Sequence, residues 1–316
     1  MLENLRRLRT IVKDYDRLTD ELKRTTGERD WFKAIVEGSD ARQFVPAGHF
    51  YSPIPSAVDV RLALERRNQS KLPVEIPAVI IDDEAQLELL EKLKQYYPLL
   101  PFRSQPTEGL LYFLDNPHYS YSDVIILFCV LNWIKPSRLI EIGSGHSTCA
   151  MVDTNRLFLQ SRTKLTCIEP YPDLLRSLLQ NLNEPVAIID RKVQDVDLSV
   201  FDELEAGDIL FVDSTHVSKL GSDVNWIFFE ILPRLRSGVL VHIHDVFYPF
   251  EYPEPWSLEG RSWNEVYILR AFLEYNNQFK ILLFPSYAQI FYEQWFRENM
   301  PLVLENRGGC MWLQKV

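Results

Sequence analysis

The chain has 316 residues, 46% hydrophobic and 25% charged, proportions that exclude wholesale disorder and leave room for one large α/β domain with an appendage, or for two ordinary domains. Its 34 Lys and Arg against 44 Asp and Glu give a formal net charge of -10, which excludes a sequence-wide basic footprint and makes nucleic acid a poor partner. The cysteines Cys129, Cys149, Cys167 and Cys310 lie apart in apolar runs without metal-ligand spacing, and read as reduced core residues.

The N-terminus, MLENLRRLRTIVKDYD, is charged throughout and lacks the apolar core of a secretory signal. No run approaches the roughly 18 apolar residues of a membrane span, so a cytoplasmic protein without a membrane partner is expected. Leu5, Leu8, Ile11, Val12, Tyr15, Leu18 and Leu22 fall on one stripe of an amphipathic helix, and Gly38, Ser39 and Asp40 close it. Residues 1–40 therefore read as a helical extension, suited either to packing on its own domain or to forming a homo-oligomer. Residues 41–82 are loop-like, punctuated by Pro46, Gly48, Pro53, Pro55, Pro73 and Pro77, yet rich in aromatics as in GHFYSPIPS, which predicts an ordered arm. A helix over 83–97 carries Leu87, Leu90, Leu93 and Tyr97 on one face and ends at Pro98. Residues 41–120 thus form an arm and lid region ahead of a main domain over 121–316.

Within that domain DVIILFCVLNWI (123–134) is apolar all round and predicts a buried helix. Strand-like RLIEI (138–142), KLTCI (164–168), VAIID (186–190), DILFVD (208–213) and GVLVHIHD (238–245) then alternate with helical segments. FKILLF (279–284) and the terminal MWLQKV supply two late strands. Short β-branched runs between helices of about 12 residues predict a doubly wound, Rossmann-like, seven-stranded and mostly parallel sheet.

The sharpest motif is EIGSGHST (141–148), where a buried strand turns into a helix. Gly143 and Gly145 let the backbone turn tightly and approach a ligand, the helix N-terminus offers unpaired N–H donors, and Ser147 and Thr148 serve the same first turn. A lone GxG also opens dinucleotide-binding domains, but there a third small residue follows, whereas here that position is Thr148 and an acid, Glu141, precedes the first glycine. Glu141 suits a cationic methionine moiety better than a diphosphate. Glu169, after KLTCI, can accept both hydroxyls of a ribose, and Asp195 in VQDVD can take the exocyclic amine of an adenine.

With EIGSGHST, IEPYPDLL, VQDV, GDILFVDSTHVSKLGSDVN and GVLVHIHDVFYPFEYP in this order, the chain resembles the class I methyltransferases that use S-adenosylmethionine (SAM), in a largely uncharacterised bacterial branch. The resemblance covers most of residues 44–316. It implies that Glu141, Gly143, Ser144 and Gly145 line the methionine and ribose of SAM, Glu169 the ribose and Asp195 the adenine. His146 stands where many relatives carry Gly or an aromatic.

Two strand ends are unusually polar: Asp213-Ser214-Thr215-His216 and His242-Ile243-His244-Asp245. Strand alternation puts His242 and His244 on one face, with His244 nearer the open end. Asp213, His244 and Asp245 can converge as a divalent-metal site of mixed O and N donors. This is similar to metal-assisted catechol-type and sugar O-methyltransferases, in which an acid stands where His244 does. Without a metal, His216, on the polar turn just beyond the fourth strand, is the first candidate general base and His244 the other. The aromatic segment 247–265, with Arg261 and Glu265, suits a lid over a small-molecule acceptor, foremost a hydroxyl of a sugar or secondary metabolite. N-methylation, a dinucleotide oxidoreductase and a non-catalytic scaffold are the competing readings.

Overall fold

The computed structural model describes residues 44–180 and 186–316, together with Leu18, Leu22, Thr25 and Thr26. The helix expected over residues 1–40, with its oligomeric role, lies outside the described residues apart from those single positions.

Each β-branched run of the main domain forms a strand: β1 (Arg138–Ile142), β2 (Lys164–Ile168), β3 (Val186–Ile189), β4 (Ile209–Val212), β5 (Leu240–His244), β6 (Phe279–Leu283) and β7 (Cys310–Lys315). They make one seven-stranded sheet in the order β3-β2-β1-β4-β5-β7-β6. The first five strands pair in parallel, and β7 runs antiparallel between β5 and β6. The chain leaves β1 for β2 and β3, then returns to β4 on the other side of β1. That reversal opens a crevice at the carboxyl ends of β1 and β4, where open α/β sheets bind ligands.

Side-chain alternation divides the core between the two faces. Ile140, Ile142, Leu210, Val212, Val241 and Ile243 belong to one cluster. Leu139, Ile209, Phe211, Leu240 and Trp312 belong to the other, which also holds the buried face of a long helix, Tyr121–Ile134. The run that is apolar all round is thus a buried helix, with Val124 to Leu131 sealed from solvent.

Two segments differ from the sequence expectation. Ala57–Gln69, within the stretch read as loop, is a helix (α1); it buries only Leu64, so it carries no apolar stripe, and the prolines on either side stand outside it. The next helix, α2, stops at Leu93, and Tyr97–Leu99 forms a separate 3-10 turn around Pro98. Its start is fixed by Asp82, which accepts the Ala85 N–H at 2.9 Å. We number the buried helix Tyr121–Ile134 α3 and the helix after β1, His146–Phe158, α4. Among the described residues no helix is long and apolar enough to cross a membrane.

The β1–α4 turn requires a glycine. Gly143 has φ +77, and a Cβ there would lie 1.8 Å from the Asp213 carbonyl oxygen. Gly143→Ala is expected to lower unfolding free energy by at least about 2 kcal/mol through backbone displacement, read from urea unfolding. An unchanged midpoint would refute this close approach.

Candidate active site

Glu141 closes β1 and is wholly buried. Ser147 donates its hydroxyl to Oε1 at 2.6 Å, and Thr148 donates to Oε2, with the Cys167 thiol 3.4 Å from the same oxygen. Thr148 Oγ1 in turn accepts the Gly145 N–H at 3.1 Å. The carboxylate therefore latches the first turn of α4 onto β1. Burial raises its pKa to about 7 against these hydrogen bonds. Ser144 Oγ is buried near Glu141 and Cys167 without a hydrogen bond of good geometry.

Above the latch the turn is open: a Cβ on Gly145 would meet nothing within 4 Å. Glu169, at the end of β2, faces this turn, its carboxylate held by the Ser144 N–H at 3.2 Å and the Tyr171 N–H at 2.8 Å. One N–H per oxygen orients the group and leaves lone pairs free for a pair of hydroxyls. His146, the departure from the family pattern, stacks on His118 at 5.4 Å. Asp195 is exposed in a 3-10 turn after β3.

A second polar cluster is built where β4 and β5 end. His216 Nε2 lies 3.4 Å from Asp213 Oδ1 and 3.3 Å from Asp245 Oδ2. Its Nδ1 is 2.8 Å from Glu265 Oε2, and the other oxygen of Glu265 accepts the Ser214 hydroxyl at 3.1 Å. Both His216 (φ +59) and Asp245 (φ +55) hold left-handed backbone. Two strained non-glycine residues in one cluster cost of order 1 kcal/mol each and concentrate at functional sites. Burial works against a charge on His216, but hydrogen bonds to Asp213 and Glu265 and the field of Asp245 outweigh it and push the imidazolium up to about 10.

Of the expected metal ligands, Asp213 and Asp245 do converge. The third group in the cluster is His216, and the ligand atoms of Asp213, His216 and Asp245 all lie within 4.8 Å of one another. His244 sits one layer deeper, its Nε2 3.6 Å from Asp245 Oδ1 and its ring 5.1 Å from Tyr119. His242 is a core residue, stacked on Phe211 at 3.9 Å with neither ring nitrogen hydrogen-bonded, and burial drives its pKa well down.

Two buried acids stand differently from the sequence reading: Glu265, expected in the lid, instead pairs with His216, and Asp123 has no role in that reading. Glu265 acts across 49 residues, and no local pattern reveals such a pairing. Asp123, buried on α3, accepts the Gly309 N–H at 2.9 Å, and burial lifts its pKa to about 6. Over the cluster stands an aromatic wall: Trp263 packs 4.5 Å from His216, and the Arg261 guanidinium lies 4.5 Å over Trp256 and 5.1 Å over Trp263.

A family described as methyltransferase domain matches residues 140–246, the stretch from β1 to the turn after β5. With the strand order and the turn geometry above, the chain belongs to the class I SAM-dependent methyltransferases. An uncharacterised protein of Archaeoglobus fulgidus is 35% identical over 178 residues, spanning 55% of this chain and 80% of that protein. Its source is an archaeon, so the match does not bear on a bacterial branch. Among solved structures, an S-adenosylhomocysteine-bound methyltransferase of Podospora anserina aligns at a TM-score of 0.40 and 14% identity, covering 87% of this chain and 100% of that one. At that score the strand order, and not the likeness, carries the fold.

The buried Glu141 sets a pH signature. Its folded pKa of about 7 lies above the free value of 4.5, so the native state binds the extra proton and the penalty of ionising it grows as pH rises between those values. Glu141→Gln removes that penalty. The stability of the variant relative to the parent should rise by roughly 2–4 kcal/mol from pH 4.5 to pH 8. Parallel urea-unfolding profiles for the two proteins across this range would contradict it.

Proposed function

We propose that this methyltransferase transfers the SAM methyl group to a hydroxyl oxygen of a small-molecule acceptor, a sugar or a secondary metabolite, at the Asp213–His216–Asp245 cluster, with a divalent cation held there. The observation that carries this reading is the double engagement of His216. Glu265 takes Nδ1, which aims Nε2 between two carboxylates. A carboxylate fixing the far nitrogen of a histidine is how metal-binding imidazoles are oriented. The separations of 3.3 and 3.4 Å are also close to those between neighbouring ligands on one octahedral ion, roughly 3 Å for bonds of about 2.1 Å. Such an ion lowers the pKa of a hydroxyl bound to it, and SAM presents an electrophilic methyl carbon.

The rest falls to the chain's own groups. The open turn at Gly143 and Gly145 and the oriented Glu169 carboxylate suit the methionine and ribose of SAM, with Asp195 available to the adenine amine. Glu141 acts through Ser147 and Thr148, holding that turn in place. Trp263 and its neighbours give the acceptor a dry wall beside His216. Without an ion, His216 is an imidazolium among three carboxylates and is not free to take a proton, which weighs against a metal-free mechanism with His216 as sole base.

Glu169→Ala should weaken SAM binding by about 1.5–3 kcal/mol with the fold intact. Gly145→Ala should weaken it while leaving stability within about 0.5 kcal/mol. Calorimetry with unchanged affinity in both would remove the cofactor from this turn. For the cation, the dialysed protein should take up one Mn²⁺, and Glu265→Gln should weaken that binding by about 10–100-fold. Turnover that survives chelator, together with a loss of about 10²–10⁴-fold in His216→Ala, would establish the metal-free alternative.

A further inference from the structure

A cavity of about 530 Å³ lies against the loop that leaves β5. Phe247, Tyr252 and Pro73 give it apolar walls, and three cations line it, Arg67, Lys71 and Arg307, against one acid, Glu251. Arg67 is partly committed: it donates to the Tyr252 carbonyl at 2.9 Å and stands 3.9 Å from Glu254. Lys71 and Arg307 are exposed and make no hydrogen bond or ion pair with any described residue. In a chain of net charge -10, two cations without a partner among the described residues thus line one aromatic-walled cavity.

Packed rings stand between the cavity and the His216 cluster. Phe247 follows Asp245 by two residues, and the Tyr252 ring packs 5.8 Å from Trp263, which packs 4.5 Å from His216. The outer side is fixed to the same loop. Tyr248 donates its hydroxyl to the Pro73 carbonyl at 2.6 Å, and Asn68 donates to Glu254 at 3.1 Å. α1 and the segment after it thus carry Arg67 and Lys71 to the edge of this cavity.

We propose that this cavity binds a phosphate-bearing sugar, its phosphate held by Lys71 and Arg307 and its ring against the aromatic walls. Lys supplies a point charge and Arg a planar fork for phosphate oxygens. With Arg67 met by Glu254, Lys71 and Arg307 against Glu251 leave a net positive charge for an anion. The aromatic walls suit the C–H face of a sugar ring.

The test is calorimetric and needs no turnover. Glucose 1-phosphate, uridine diphosphate glucose and glucose are titrated into the full chain saturated with S-adenosylhomocysteine. At least one phosphate-bearing probe should bind about tenfold or more tightly than glucose, and Lys71→Gln and Arg307→Gln should each remove most of that preference, as expected for lost charged hydrogen bonds. The two probes tell a sugar phosphate from a nucleotide-linked sugar. Affinity for S-adenosylhomocysteine should be the same in both variants, which separates this cavity from the cofactor site. No preference over glucose, or a preference that survives both substitutions, overturns the proposal even where S-adenosylhomocysteine binds normally.

Discussion

At the end of β1 the backbone passes so close to the end of β4 that no side chain fits between them. Gly143 turns there against the carbonyl of Asp213. The Asp213 N–H donates to the Ile142 carbonyl at 2.9 Å, and the Gly143 N–H donates to that of Ile168 at 3.0 Å. The turn proposed for the cofactor and the first carboxylate of the proposed reaction cluster are therefore parts of one hydrogen-bonded backbone unit. In any methyl transfer the donor methyl and the acceptor atom must meet within a few tenths of an ångström of the right distance, and misplacement by about 1 Å costs on the order of a hundredfold in rate. Coupling these two regions through main chain, and not through flexible side chains, suits that requirement.

Buried carboxyl groups then place the elements around this unit. Glu141 ties α4 to β1, and Asp153 accepts the N–H groups of Leu111 and Tyr112 at 2.8 and 2.9 Å. Asp123 holds the chain ahead of β7 through Gly309, and Glu265 orients His216. Each acid loses hydration on burial and regains part of it from a donor fixed by the fold, so removing the acid strands that donor as well. Their pKa values record the imbalance: burial lifts Glu141 to about 7 and Asp123 to about 6. The His216 cluster differs from the rest because it gathers Asp213, Asp245 and Glu265 on one imidazole. Carboxylates in such number at one point call for positive charge, either a protonated ring or a cation.

The sheet was legible in the sequence because each strand is a local event. RLIEI, KLTCI and VAIID are β-branched, short and separated by helical text, and the strands form where the pattern places them. α1 was illegible for the opposite reason, since AVDVRLALERRNQ buries one residue and so has no periodic stripe to detect. Asp213 and Asp245 could be read as convergent, because they mark strand ends. That His216, read as the first candidate base, joins them in place of His244 could not. It depends on the left-handed turn that swings His216 back over the sheet and on Glu265, 49 residues away, which receives it. Alternation along β5 correctly put His242 and His244 on one face, yet that face looks toward the buried helix α3 and Tyr119, and so away from the open crevice.

Charge placement finally divides this end of the molecule. The carboxylates of Asp213, Asp245 and Glu265 gather around His216, whereas Lys71 and Arg307 line the cavity beside Phe247. Opposite charges this near in the fold are kept from pairing only where low-polarity groups and rigid backbone hold them apart. The loop from Phe247 to Trp263 contributes rings to both surroundings. Its aromatic content, read in the sequence as a lid, becomes intelligible as a partition of low polarity that keeps the opposite charges apart.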